Sequence, residues 1–117
     1  MRERANYRQR LGRRGEDMAA AHLAAAGCAI LARNCRTPFG EIDLLALDGD
    51  ETVLVEVKTR RRHQFGAAVE AVDGRKRERL RRLAAYLGLN DAPVRFDVMA
   101  IDLTNGRPQI EWLKGAF

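Results

Sequence analysis

Four charged side chains sit inside two apolar runs of this chain. Between Gly40 and Arg60 it reads GEIDLLALDGDETVLVEVKTR, two runs rich in Val, Leu and Ile that carry Glu41, Asp43, Glu56 and Lys58. Setting Glu56 between Val55 and Val57 is costly unless its charge is paired or holds a cation. Mg²⁺ takes oxygen ligands and is commonly held by one or two carboxylates together with substrate phosphates. An ion held by Asp43 and Glu56 could polarise a phosphodiester and acidify a water. Lys58, two residues beyond Glu56, points at the same spot, where it could orient attacking water or offset charge on phosphorus. Of 21 basic residues only Lys58, Lys76 and Lys114 are lysine. Lysine at 58 amid so much arginine points to a position that needs a compact ammonium able to give up a proton.

The elements around these residues must bring them together. Two strands, about Glu41–Leu47 and Thr52–Thr59, flank Asp48-Gly49-Asp50, a turn sequence in which Gly49 is free to take positive φ. Alternation along a strand puts Glu41 with Asp43 on one face, and Glu56 with Lys58 on one face. Upstream, Leu11, Met18, Ala19, Leu23 and Ala26 have helical spacing, so a helix is expected over about Arg10–Ala26 with Gly27 as its stop. Glu16 lies seven residues before Leu23 and projects from a similar side. It could reach the site from the edge of the buried face, or it is a solvated glutamate in the first half of a helix. Residues 1–9 are polar and basic and are expected to form a mobile arm. Cys28–Arg33 reads as a first strand.

Beyond the hairpin, Arg60, Arg61, Arg62 and His63 form a basic run that leaves the site. Most such runs are solvated faces, but its position favours phosphate contacts. Ala67–Val72 reads as a helical turn. A second helix, about Arg75–Leu89, carries Leu80, Leu83, Ala84 and Leu87 as its core stripe, with Arg77, Arg79, Arg81 and Arg82 around it. Arg79 is a further candidate for phosphate contact. Lys76 either contacts phosphate or snorkels at the helix end. Val94–Asp102 alternates Phe96, Val98 and Ala100 against Arg95, Asp97 and Met99, as a strand does. Pro108–Leu113 gives a last strand with Trp112.

At 117 residues the chain is sized for a single domain, 1–117. No apolar run approaches a membrane span, and the arginine-rich start leads to no signal-peptide core. A cytoplasmic protein with no membrane partner is expected. Cys28 and Cys35 have no zinc-like spacing and read as free thiols. A net charge of +5 and pI near 9.9 point to a polyanionic partner.

The pattern of Gly40-Glu41-Ile42-Asp43 followed by Val55-Glu56-Val57-Lys58 resembles the D…(D/E)-x-K signature of restriction-endonuclease-like, PD-(D/E)XK nucleases. Those nucleases often have proline before the aspartate, where this chain has Ile42. The whole chain is similar to the bacterial YraN family, itself similar to archaeal Holliday-junction resolvases. Gly15-Glu16-Asp17 with Ala19, Arg33-Asn34 with Arg36, Thr59-Arg60, Phe65-Gly66, Lys76, Tyr86-Leu87 and Arg95-Phe96-Asp97-Val98 also carry the resemblance, in order along the chain.

The order of elements, with this resemblance, implies an α/β domain. Its mixed central β-sheet would be flanked by helices, around a restriction-endonuclease-like αβββαβ core. The function implied is a Mg²⁺- or Mn²⁺-dependent endonuclease acting on DNA, including branched intermediates. Asp43 and Glu56 would be metal ligands, Glu16 and Glu41 would complete the acid shell, and Lys58 would assist the nucleophile. The alternative is a nucleic-acid-binding module that keeps the fold and does not cut. A protein-interaction domain in which Glu56 and Lys58 form a structural salt bridge ranks below both. Resolvase relatives work as dimers, so a homodimer is compatible with the resemblance.

Overall fold

The computed structural model describes residues 2–60, 74–89, 93–104 and 106–116, with the side chains of residues 2–8 and 74–76 outside that description. In chain order the elements are α1 (Arg2–Ala25), β1 (Ala29–Thr37), β2 (Gly40–Asp48), β3 (Glu51–Arg60), α2 (Gly74–Tyr86), β4 (Val94–Asp102) and β5 (Gln109–Leu113). The strands form one sheet in the order β1-β2-β3-β4-β5. The first three run antiparallel, β4 runs parallel to β3, and β5 is antiparallel to β4. This is the α/β architecture expected, a five-stranded mixed sheet flanked by two helices in the manner of a restriction-endonuclease-like fold.

The sheet is buried on both faces, which is why its central strands read as near-continuous apolar runs. On one face Ala19 and Leu23 of α1 pack against Leu44, Val55, Met99 and Ile101. On the other, Leu80 and Leu83 of α2 pack against Ile42 and Leu54. Both helices stop by the same device. Gly27 and Gly88 take φ of 95° and 74°. In α1, Gly27 N–H donates to Ala24 C=O and Cys28 N–H to Leu23 C=O, and Gly88 and Leu89 repeat the pattern on Ala85 and Ala84. That paired arrangement satisfies carbonyls the helix would otherwise orphan, and only glycine enters it without a steric penalty.

Several boundaries differ from expectation. The backbone of α1 is helical from Arg2, so the stretch expected to be an arm forms its first turns. Its Arg, Glu, Ala and Gln residues are good helix formers. Ala26 lies past the helix and is exposed. Helix α2 ends at Tyr86, two residues ahead of Gly88, and not at Leu89. Strand β1 runs on to Thr37, because Pro38 and Phe39 close a hairpin onto β2; Thr37 Oγ1 accepts from Phe39 N–H (3.1 Å) and donates to Gly40 C=O (2.8 Å). The helical turn expected over Ala67–Val72 lies outside the described residues.

Strand β4 departs most from its pattern. Residues 97–102 are all buried, Asp97 completely. Its carboxylate accepts from Arg95 Nε (2.9 Å), Trp112 Nε1 (2.8 Å) and Gly115 N–H (2.9 Å). Arg95 also reaches Asp48 (2.9 Å) and Glu51 (3.3 Å) at the tip of the β2–β3 hairpin. The buried charge is thus compensated from three elements, which alternation alone does not reveal. Asp97→Ala leaves the Trp112 and Gly115 N–H donors without their acceptor and takes from Arg95 one of its three carboxylates, so it is expected to destabilise the fold by about 3–5 kcal/mol. Urea denaturation measures this, and a loss below about 1 kcal/mol would contradict the network's role.

Candidate active site

The site forms where the β2–β3 ladder ends. Pairing runs from Asp48↔Glu51 to Leu44↔Val55. In the same register Asp43 and Glu56 come next, and they do not pair. The β1–β2 ladder has a gap at the same place. Arg33 pairs with Leu44 and Cys35 with Ile42, leaving out Asn34 opposite Asp43. Among the described residues Asn34 alone is non-glycine with positive φ, at 53°, a region that asparagine tolerates better than most side chains. Backbone irregularity on both sides of Asp43 alters which face β2 buries. Ile42 packs toward α2 while Leu44, two residues on, packs toward α1. The Asp43 carboxylate fills the break: its Oδ2 accepts from Val57 N–H at 2.8 Å, a donor next to the point where the ladder stops.

Glu56 and Lys58 project from one side of β3, as alternation requires, and form an ion pair with Lys58 Nζ 2.9 Å from Glu56 Oε1. Their side chains are 19% and 31% exposed, so the pair is sheltered but open to solvent. Glu16 arrives from α1. Gly15, beside it, is buried against β3; a Cβ there would overlap Thr59 Oγ1 and stand 2.9 Å from Thr59 Cβ. Only glycine lets the helix lie this close, and the close approach sets Glu16 on the groove that Lys58 and Arg60 also line. Glu41 is exposed at the start of β2. Asn34 links the two glutamates. Both neighbours of its amide accept hydrogen bonds, so its NH₂ must face them. It then donates to both Glu16 carboxylate oxygens at 3.3 Å and to Glu41 Oε1 at 3.0 Å.

The expected acids therefore share one neighbourhood: Asp43 and Glu56 by the strand break, Glu16 by the helix approach, Glu41 through Asn34. Of the expected phosphate contacts, Arg79 lines the cleft that holds Asp43 and Glu56, and Arg60 is exposed at the end of β3. Arg61 and Arg62 lie outside the described residues, as does the side chain of Lys76. Asn34 carries no chemical signal in the sequence beyond its place in the Arg33-Asn34 part of the family resemblance, since the expected first strand stops at Arg33, one residue short of it.

Burial raises the Asp43 carboxyl from 3.8 to about 6; the Val57 N–H opposes this, and the negative charges of Glu16, Glu56 and Glu41 add to it. Among the described residues no three His, Cys, Asp or Glu side chains form a ready cage for an ion. The donor set fits a cation such as Mg²⁺ instead, which takes one or two carboxylates and fills its remaining positions with water and substrate oxygens. A crowded carboxylate held partly desolvated beside three others is the environment a divalent cation would relieve.

The raised pKa has a consequence for stability. Folded Asp43 holds its proton more tightly than unfolded Asp43, so it contributes stability that is complete below 3.8 and lost as pH rises through about 6. Asp43→Asn mimics the protonated form and keeps an oxygen for Val57 N–H. The variant is expected to be more stable than wild type at neutral pH, with the advantage vanishing as pH falls toward 4. Urea denaturation across that range tests this, and parallel profiles for the two proteins would contradict the charge crowding.

Comparison with known proteins places this geometry in a family. The pattern of the uncharacterised protein family UPF0102 matches residues 15–101, from the Gly15–Thr59 contact into β4. A UPF0102 protein of Moorella thermoacetica is 51% identical over 116 residues, covering 94% of this chain and 97% of the relative. One from Pseudomonas paraeruginosa is 44% identical, covering 100% and 98%, and one from Nocardia farcinica is 48% identical, covering 97% and 94%. With the match spanning every element that builds the site, the chain belongs to the UPF0102 (YraN) family.

Proposed function

We propose that this protein is a Mg²⁺- or Mn²⁺-dependent endonuclease that hydrolyses phosphodiester bonds in DNA. The observation that carries the reading is the adjacency of Asp43 and Glu56 at the end of the β2–β3 ladder, with the Lys58 ammonium 2.9 Å from Glu56. Asp43 and Glu56 would hold the ion, with Glu16 and Glu41 as outer acids. Bound there, the ion supplies Lewis-acid polarisation of the phosphodiester and acidifies water.

The protein's own groups do the rest. The Val57 N–H fixes Oδ2 of Asp43, a residue that lines the cleft. Glu56 holds Lys58 Nζ in place, so that the ammonium is positioned before substrate arrives. An ammonium at that point stabilises charge that develops on the phosphoryl oxygens, and its three protons allow it to orient a water. Asn34 ties Glu16 to Glu41 through its amide protons. Arg79, at the cleft wall, and Arg60, at the groove, suit contact with phosphates on either side of the scissile bond.

One observation favours the non-cutting alternative: Glu56 and Lys58 already satisfy each other as an ion pair. A protein that only binds nucleic acid could keep that pair as structure. The two readings part on metal and on Lys58. Mn²⁺ is expected to raise the melting temperature of wild type, through selective binding to the folded state, and to leave that of Glu56→Gln unchanged. A wild type indifferent to Mn²⁺ would overturn the metal assignment.

Cleavage provides the second test. Lys58→Ala is expected to lower the rate by roughly a hundredfold or more while DNA affinity stays nearly constant, since one lysine among 21 basic residues is a small part of the field. Lys58→Arg is expected to fail as well, being wider and unable to release a proton. The assay needs duplex, fork, flap and four-way junction with each ion. If wild type is inert on all of them while still binding, the non-cutting alternative stands.

A further inference from the structure

Among the described residues, the large apolar side chains left open to solvent are Leu31, Phe39 and Tyr86. Two of these meet. Phe39, in the β1–β2 turn, lies edge to face against Tyr86, the last residue of α2, with ring centroids 6.2 Å apart and planes at 74°. The contact leaves both residues open to solvent: Phe39 remains 40% exposed and Tyr86 56%. A clasp between turn and helix would gain more by burying both rings.

The setting of the pair says what the open faces are for. Phe39 is followed by Gly40, and the Arg79 side chain packs over that glycine; a Cβ built there would lie 3.6 Å from Arg79 Cδ. Arg79 in turn lines the cleft that holds Asp43 and Glu56. Aromatic rings, guanidinium and acidic cleft thus follow one another without a gap. Helix α2 also concentrates charge. It carries Arg75, Lys76, Arg77, Arg79, Arg81 and Arg82 against Glu78. Six basic residues and one acid leave it at +5, as much as the whole chain. The side chains of Arg77, Arg79, Arg81 and Arg82 are all exposed.

A cationic helix alone suits any polyanion. Cations beside solvent-facing aromatic rings suit one that also offers flat π-faces, which duplex DNA hides in its stack and an unpaired nucleotide displays. We propose that an unpaired DNA base stacks on an open ring face of the Phe39–Tyr86 pair beside the acidic cleft, the second ring meeting it edge-on, with Arg79 and the exposed face of α2 taking the flanking phosphates. The protein would therefore prefer duplexes that carry a single-stranded tail. This rests on the DNA-binding half of the proposed function and does not depend on cleavage.

The test uses the full chain with EDTA present, so that no strand is cut. Binding is followed by fluorescence anisotropy to a blunt duplex and to the same duplex with an unpaired tail. The first unpaired position carries a fluorescent adenine analogue that dims on stacking. Wild type is expected to bind the tailed duplex more tightly and to quench the analogue. The double variant Phe39→Leu/Tyr86→Leu keeps apolar contact between turn and helix but removes both rings. It is expected to lose the quenching and roughly fivefold to a hundredfold in affinity for the tailed duplex, with blunt-duplex affinity and salt dependence unchanged. Arg79→Ala should weaken both duplexes and reduce the salt slope by about one. Phe39→Trp keeps a ring and should keep the preference.

Equal wild-type affinity for blunt and tailed duplexes would overturn the proposal, as would a preference that survives in the double leucine variant. So would a patch that serves self-association: wild type sedimenting as a dimer, the leucine variant as a monomer, and tail preference equal in both. Absence of DNA binding at low salt would remove the proposed function and this inference together. Tail preference with no cleavage by wild type under Mg²⁺ or Mn²⁺ would remove only the nuclease reading.

Discussion

A single carboxylate–amide hydrogen bond stands at the centre of this structure. Asp43 Oδ2 accepts from Val57 N–H where the β2–β3 ladder has just ended. Without it, an amide in the interior of the sheet would rely on solvent for a partner. With it, the two strands can part while their backbone remains satisfied. The parting leaves Glu56 and Lys58 side by side on a sheltered strand rather than locked against a neighbour. The hydrogen bond also explains how Asp43 tolerates three nearby carboxylates, because the N–H dipole offsets part of the repulsion and desolvation that raise its pKa.

Around that point the molecule separates its charges. The acids converge at the end of a ladder in the middle of the sheet, while much of the basic surface lies on α2. The two are coupled through Arg79, which belongs to the basic helix yet lines the acidic cleft. Such separation suits a polyanionic ligand whose backbone is drawn to the cationic face and whose one phosphate must approach carboxylates. An acidic cluster in an acidic protein would repel that ligand outright.

The buried Arg95–Asp97 network does a different job. It ties the tip of the β2–β3 hairpin to β4, to Trp112 on β5 and to the backbone at Gly115. Arg95 holds the tip of the hairpin, while Asp97 stands opposite Val55 in the β3–β4 register, one residue before Glu56. The network therefore braces β3 from the hairpin tip up to the edge of the site.

The sequence by itself determined what is local. Strand alternation is a property of backbone geometry, so Glu56 and Lys58 on one face, the Asp48–Asp50 turn and the glycine stop of α1 were all legible. So was the α/β order, from apolar runs that alternate with helical spacing. Features that depend on contacts between elements were not. Helix α1 comes close enough to present Glu16 because Gly15 meets Thr59, two residues far apart in the chain. Asn34 joins Glu16 to Glu41 because its backbone turns left-handed opposite Asp43, and nothing in the run Arg33–Arg36 signals that turn. Asp97 looked like the polar side of a strand, yet it is fully buried because Arg95, Trp112 and Gly115 converge on it. Tertiary structure decided these three because each depends on the distance between elements, which packing sets and residue spacing along one element does not encode.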